Sequence, residues 1–126
     1  MAETRKKRQK IPAYPYRDLY SKILDAKVGG GWVAELPFHP KRKFRFDYAC
    51  QEAMVAIEID GGIWTGGRHS GGLGQKKDFE KLNLAAEMGW LVLHYTPEDK
   101  MKTATLLQIY NTMKNRRRDG KEEEKG

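Results

Sequence analysis

The chain has 126 residues, of which 24 are lysine or arginine and 17 are aspartate or glutamate; its formal net charge is +7 and its pI about 9.5. This length allows one compact domain with a real core, and no apolar run approaches the roughly 20 residues that a membrane-spanning helix needs. The basic balance favours a polyanionic partner such as nucleic acid, although basic charge by itself is equally compatible with simple solubility.

Cys50 is the only cysteine, which excludes a disulfide within the chain and a zinc site built from several thiolates. Its position in a hydrophobic run predicts a buried thiol rather than a nucleophile. The N-terminus has no hydrophobic segment typical of a secretion signal. We therefore expect a cytoplasmic protein without a membrane partner.

The hydrophobic pattern predicts seven elements in the order α-β-β-β-α-β-α. Residues 1–10 are predicted to form a disordered basic arm, residues 11–115 a single domain and residues 116–126 a charged tail. The helices are expected at about residues 16–26, 75–88 and 96–115, and the strands at 32–38, 44–50, 54–60 and 90–95. Antiparallel strands followed by a helical crossover predict an α/β fold with a mixed four-stranded sheet flanked by helices.

The glycine-rich residues 61–74 are predicted to form a mobile loop. They lack the Gly-Lys-Ser/Thr ending of a phosphate-binding P-loop, which argues against nucleotide binding there. In the helix that follows, the spacing of Phe79, Leu82 and Ala86 predicts the stripe that faces the core.

Carboxylates occur within the predicted core strands, where charge is costly unless a partner or a metal compensates it. Side chains alternate along a strand, so Phe44, Phe46 and Tyr48 are expected to share one face of the second strand. Arg45 and Asp47 are then expected on the opposite face.

The third predicted strand places Glu58 and Asp60 on one face and Ile57 and Ile59 on the other. If the second and third strands pair, Asp47 lies beside Glu58, with Asp60 just beyond at the strand end. Carboxylates and the backbone carbonyl of Ile59 are hard oxygen ligands of the kind that magnesium prefers. Metal ions held in this way promote phosphodiester hydrolysis.

Each of these carboxylates, considered alone, is also compatible with a purely structural role. Asp47 would then pair with Arg45 or Arg42, and Asp60 would cap a turn. The presence of Asp47, Glu58 and Asp60 on adjacent strand faces favours a shared site instead.

Four further residues are candidates for the chemistry. His69, beside Arg68 in the glycine loop, would position water or protonate the leaving group, unless it is merely an exposed histidine. Gln75 or Lys76 would stabilise the transition-state phosphate, unless both belong to an ordinary exposed helical turn. Glu35 in the first strand is either an additional acidic ligand or a surface residue of an edge strand. For the other two histidines of the chain, His39 and His94, a structural role is favoured.

Three segments together resemble the PD-(D/E)XK nuclease superfamily: residues 45–49 (Arg-Phe-Asp-Tyr-Ala), 56–61 (Ala-Ile-Glu-Ile-Asp-Gly) and 89–93 (Gly-Trp-Leu-Val-Leu). The resemblance covers about residues 16–100 and is strongest to very-short-patch-repair and small phage-type endonucleases. It implies a restriction-endonuclease-like core and magnesium-dependent DNA cleavage.

The resemblance also assigns roles to residues of this chain. It implies that Asp47 and Glu58 are the metal ligands, and the very-short-patch enzymes imply a catalytic role for His69. Asp60 departs from the motif, because a lysine is expected at that position. This departure directs attention to Gln75 and Lys76 as replacements for the missing group.

The leading hypothesis is a metal-dependent DNA endonuclease that uses Mg²⁺, with Mn²⁺ as a substitute. Asp47 and Glu58 would bind the metal with the Ile59 carbonyl, and Asp60 would assist. The residues expected to contact phosphates are Arg42, Lys43, Arg68 and Lys76.

Two alternatives keep the same fold. One is a homodimeric, structure-specific resolvase of the Holliday-junction type, which performs the same chemistry across a two-fold interface. The other is a non-catalytic DNA-binding module. A binding protein for small acidic ligands ranks last, because the predicted carboxylates would repel such a ligand.

Overall fold

A computed structural model describes residues 16–60 and 72–125, with side chains described for residues 16–60 and 76–118. The predicted basic arm at residues 1–10 lies outside this range, as does nearly all of the predicted glycine loop. The described elements follow the predicted order: α1 Leu19–Val28, β1 Trp32–Pro37, β2 Arg45–Cys50, β3 Val55–Ile59, α2 Gly72–Glu87, β4 Leu91–Tyr95 and α3 Thr103–Lys125. Within the described part of the chain, none of the helices has the length and apolar character to cross a membrane.

The four strands form one mixed sheet in the order β1-β2-β3-β4. β1 and β2 are antiparallel, as are β2 and β3, whereas β3 and β4 are parallel and are connected through α2. This topology confirms the predicted α/β class and the predicted mixed sheet. The outer edge of β1 is partly covered, because the Ala34 N–H donates to the Tyr16 carbonyl over 2.7 Å.

Helices cover both faces of the sheet. On one face, α1 and α3 contribute the fully buried Leu24 and Ile109, which pack in one core cluster with Trp32 and Ile57 of the sheet. On the other face, α2 contributes Ala85 to a second cluster, whose strand and loop members are Leu36, Phe38, Phe46, Ala49, Ala56 and Trp90. The sheet is therefore the middle layer of the fold, with a hydrophobic cluster on each of its faces.

The predicted core stripe of α2 was wrong. Phe79 is 56% exposed and Ala86 is exposed as well, whereas Ala85 is fully buried. Lys81, one helical turn before Ala85, lies on the same side of the helix and therefore faces the sheet. The prediction took the orientation of the helix from the spacing of Phe79, Leu82 and Ala86, but the helix is turned so that Ala85 faces the sheet instead.

The predicted face of Tyr48 was also wrong. Phe44 and Phe46 pack in the cluster beneath α2, but Tyr48 packs against the cluster beneath α1 and α3. In the pairing of β1 with β2, Ala34 pairs with Tyr48 and Leu36 with Phe46, but Glu35 and Asp47 between them do not pair. Glu35 has a φ of 57°, in the left-handed region, so the regular alternation is interrupted at this step.

The last helix differs from its prediction at both ends. The Thr96 hydroxyl accepts from the Asp99 N–H over 3.2 Å, as a helix cap does, but only a single turn follows it, and α3 begins at Thr103. The helix then continues to Lys125 instead of ending near Asn115. The predicted tail at residues 116–126 is therefore helical for most of its length.

Arg116, which was predicted to belong to this tail, ties α3 to two turns. Its guanidinium donates to the carbonyls of Ala53 and Gly89 over 3.1 and 2.6 Å, and to that of Met54 over 3.3 Å. These carbonyls lie in the turn between β2 and β3 and in the turn that ends α2. One side chain thus connects three segments that are distant in the sequence.

We expect Arg116→Ala to lower the free energy of unfolding by about 1–3 kcal/mol, the usual cost of leaving partly buried polar groups without partners. Urea denaturation followed by circular dichroism measures the change. Arg118→Ala removes an exposed arginine from the same helix, and its expected change is within about 0.5 kcal/mol. Equal changes in the two variants would contradict the assigned role of Arg116.

Candidate active site

The antiparallel strands β2 and β3 separate at Asp47 and Glu58. Their regular pairing ends at Tyr48 and Ile57. Beyond this point, the Asp47 N–H donates to Glu58 Oε2 over 2.8 Å, and the Ile59 N–H donates to Asp47 Oδ2 over 2.7 Å. Each carboxylate therefore accepts a backbone hydrogen bond from the opposite strand, and the two acidic side chains are held together where the strands diverge.

The backbone of Ile59 faces the same gap. The N–H and C=O of one residue in an antiparallel strand point towards the same neighbouring strand. Since the Ile59 N–H binds Asp47, its carbonyl is also directed towards β2. The structure thus brings together the three residues predicted to bind metal: Asp47, Glu58 and Ile59.

Lys81 completes the surroundings of Glu58 and was missed by the sequence analysis. Its Nζ lies 2.5 Å from Glu58 Oε1, and the two side chains are only 18% and 11% exposed. The ammonium group also lies 6.0 Å from the centre of the Phe46 ring. The sequence contains no signal that could have found it, because residues 85 and 86 are both alanine and only Ala85 is buried against the sheet, so the side of α2 that carries Lys81 could not be chosen from the pattern.

Opposing influences act on the ionisation of Glu58. Burial raises the pKa of its carboxyl group above the ordinary value, while the hydrogen bond and charge of Lys81 and the N–H of Asp47 oppose the rise. The net direction is upward, so burial outweighs the compensation from these partners. A cation placed beside Glu58 would favour the ionised form.

Asp60 lies one step further along the same edge and is paired with His94. The parallel register of β3 and β4 places His94 directly beside Glu58. His94 Nδ1 lies 2.8 Å from Asp60 Oδ2, and the Asp60 N–H donates to the Tyr95 carbonyl over 2.8 Å. His94 was expected to be structural, but its ring is 42% exposed and borders the candidate site.

Glu35 belongs to β1, next to the part of β2 that contains Asp47, and it is only partly exposed. Burial raises the pKa of Glu35, the negative charge of Asp47 raises it further, and the charge of Arg45 opposes the rise. Glu35 is therefore near enough to Asp47 for their charges to interact. Its two interpretations, an additional acidic ligand and a surface residue of an edge strand, both stay predictions.

The predicted phosphate-binding residues differ in whether their charge is already paired. Arg42 forms an ion pair with Glu80 of α2, not with Asp47, and its guanidinium lies 4.9 Å above the Phe44 ring. Lys43 is exposed in the same turn, which His39 orders by accepting the N–H groups of residues 41 and 42 over 3.1 Å.

The remaining predicted residues lie at or beyond the start of α2. Lys76 is exposed in an open groove along this helix, whose lining includes neither Asp47 nor Glu58. Arg68 and His69 lie outside the described residues, and the side chain of Gln75 does so too. Among the lysines and arginines described, Lys81 is the one that forms an ion pair with Glu58.

Across the described residues, no cluster of three or more histidine, cysteine, aspartate or glutamate side chains is arranged as a metal site. The candidate donor set is therefore two carboxylates and a backbone carbonyl. Comparison with protein-family models, with curated proteins and with solved structures finds no match to this chain.

Proposed function

We propose that this protein is a divalent-metal-dependent nuclease that hydrolyses phosphodiester bonds in DNA, on a restriction-endonuclease-like core of the PD-(D/E)XK type. The observation that carries the proposal is the meeting of Asp47 and Glu58 at the open end of two central strands, beside the partly buried Lys81. A purely structural sheet would have no need for two carboxylates and an ammonium group at this depth, where each is costly to desolvate.

The donor set fits magnesium. This ion is commonly held by one or two carboxylates, with water and substrate phosphate oxygens completing its shell. Asp47, Glu58 and the carbonyl of Ile59 would hold it, and manganese would substitute. The bound ion would polarise the phosphate and lower the pKa of a coordinated water.

Lys81 replaces the lysine that the motif expects and that this chain lacks at position 60. Residue 60 is an aspartate in this chain, and its carboxylate is engaged by His94. Lys81 supplies a positive charge from the neighbouring helix, 2.5 Å from Glu58. In the proposed mechanism its ammonium group stabilises the negative charge that develops on the scissile phosphate. Asp60 then acts indirectly, by orienting His94 at the border of the site.

Substrate contact is assigned to the basic residues around this edge. The formal net charge of +7 supports a polyanionic substrate. Lys43 and Lys76 are exposed and free to meet phosphates, and Arg42 would have to exchange Glu80 for a phosphate. Arg68 and His69 keep the roles expected from the sequence, phosphate binding and proton transfer.

The proposal is tested with labelled single-stranded, duplex, nicked, mismatched and four-way-junction DNA in Mg²⁺, Mn²⁺ or EDTA. We expect cleavage with either metal, none in EDTA, and binding that weakens steeply with salt. Cleavage confined to the junction, by a protein that sediments as a dimer, would identify the resolvase alternative. Binding without cleavage of any of these substrates would contradict the proposal and favour the non-catalytic module.

A further inference from the structure

A second surface of interest lies on α3, on the other face of the sheet from Lys81. Two adjoining open grooves share Tyr110 and together form what we call the α3 surface. It is lined by Lys27, Thr103, Leu106, Leu107, Tyr110, Lys114, Arg117 and Arg118. Among the residues whose side chains are described, none that lines either groove is acidic.

The described charged side chains that line the α3 surface are all basic. Between Thr103 and Arg118 the helix contains four basic residues and no acidic one. Arg116 is bound to backbone carbonyls and Arg117 is paired with Glu52. Three cations of the neighbourhood, Lys27, Lys114 and Arg118, are exposed and have no acidic partner recorded among the described residues.

Apolar and aromatic groups lie among these cations. Leu107 is 56% exposed and Tyr110 is 45% exposed, large fractions for such side chains. Tyr110, Lys114 and Arg118 follow each other at intervals of four residues, so they form one row about 12 Å long on the helix. An aromatic face at one end of a row of cations is the arrangement that binds bases and phosphates of an unpaired strand.

The α3 surface is separate from the candidate active site. Its basic end lies near the turn between β2 and β3, as the bonds from Arg116 to Ala53 and Met54 show. Glu58 lies near the opposite end of β3, and α3 packs on the opposite face of the sheet from α2. The phosphates bound at one place are therefore not those bound at the other.

We propose that the α3 surface binds single-stranded nucleic acid, with bases against Tyr110 and Leu107 and phosphates on Lys27, Lys114 and Arg118. A duplex would offer only its phosphates, since its bases are already stacked, and would leave the two apolar side chains in water. An acidic protein segment would match the charge but would not require an aromatic face. This binding is independent of cleavage and does not need the carboxylates.

Fluorescence anisotropy in EDTA tests the proposal, with labelled oligothymidylate of roughly 20 nucleotides, enough to exceed a typical single-strand site. We expect Tyr110→Ala to raise Kd about tenfold and Tyr110→Phe to leave it within about twofold, because the ring supplies the stacking energy. Lys114→Glu should lower the slope of log K against log salt by at least about 0.7, the value for one lost phosphate contact on a single strand.

The matched control is Lys22→Glu, which makes the same charge change at an exposed position of α1 outside the α3 surface. Its salt slope should equal that of the wild type. Each of the following results would overturn the proposal: equal effects of Lys22→Glu and Lys114→Glu, unchanged affinity of Tyr110→Ala, duplex bound as tightly as the single strand, or displacement by polyglutamate. Dimerisation lost in Tyr110→Ala would instead identify a second copy of the chain as the occupant. Because no cleavage is needed, these results stand whether or not the protein is a nuclease.

Discussion

Asp47→Asn is expected to lower metal-dependent DNA cleavage by at least about a hundredfold, since even residues that only support metal ligands are worth 10–100-fold. Asparagine has nearly the same shape and retains a carbonyl oxygen to accept the Ile59 N–H, which Asp47 accepts over 2.7 Å. The variant therefore removes the negative charge while preserving the hydrogen bond that holds β3 against β2. A loss of activity with unchanged stability would thus report on chemistry rather than on folding.

This prediction is tested by initial rates of cleavage of the preferred substrate in Mg²⁺. Thermal unfolding of the same samples shows whether stability has changed. Asp99→Asn is the matched control, because Asp99 is an exposed aspartate paired with Lys102 after β4. The control should retain wild-type activity. Cleavage by Asp47→Asn within a few-fold of the wild type would remove Asp47 from the proposed metal site.

Lys81→Met is expected to have the largest effect on stability, about 3 kcal/mol near neutral pH, because it leaves a buried carboxylate without its counter-charge. Methionine keeps the unbranched stem of lysine, so packing against Phe46 is largely conserved. The cost then reflects the loss of the ion pair with Glu58, whose side chains are 18% and 11% exposed.

The effect of this variant should depend on pH in a definite direction. Burial already raises the pKa of Glu58 above its ordinary value of 4.5, and Lys81 limits that rise. A carboxyl group with a raised folded pKa contributes its full stability below the unfolded value and loses it as pH rises through the folded value. Without Lys81 the folded pKa rises further. Lys81→Met should therefore cost little in acid and progressively more towards neutral pH.

A double-mutant cycle checks this interpretation by urea denaturation over a range of pH. Glu58→Gln removes the charge that Lys81 compensates, so Glu58→Gln/Lys81→Met should be more stable near pH 7 than Lys81→Met alone. Lys102→Met is the matched control, because it breaks an ion pair at the surface, where solvent screens the charges, and it should leave the stability nearly unchanged at every pH. A cost for Lys81→Met that does not change with pH would show that Glu58 and Lys81 are not coupled.

Periodicity in the sequence predicted the parts of the fold that depend on neighbouring residues. The order of elements, the mixed sheet and the central position of β3 follow from runs of apolar residues and from turn residues between them. The regular alternation of β3 also placed Glu58 opposite Ile57, as the structure has it. These features are local, because each depends on the period of a single strand or helix.

The errors occurred where contacts between distant segments override that period. Tyr48 changes face because Glu35, on a different strand, interrupts the pleat beside it. Arg116 was predicted to lie in a charged tail, because a row of charges does not reveal that its partners are carbonyls far away in the chain. In both cases the deciding partner is more than ten residues distant.

The candidate site shows the same division. The sequence by itself determined that Asp47 and Glu58 occupy two core strands and that the chain is strongly basic, because composition and alternation need no knowledge of the third dimension. Only the tertiary structure decided that the accompanying cation is Lys81 and not Lys76. Both lysines lie on one helix, and the lysine that reaches Glu58 is the one on the side of α2 that faces the sheet. That side is determined by the burial of Ala85 and by the buried charge of Glu58 together.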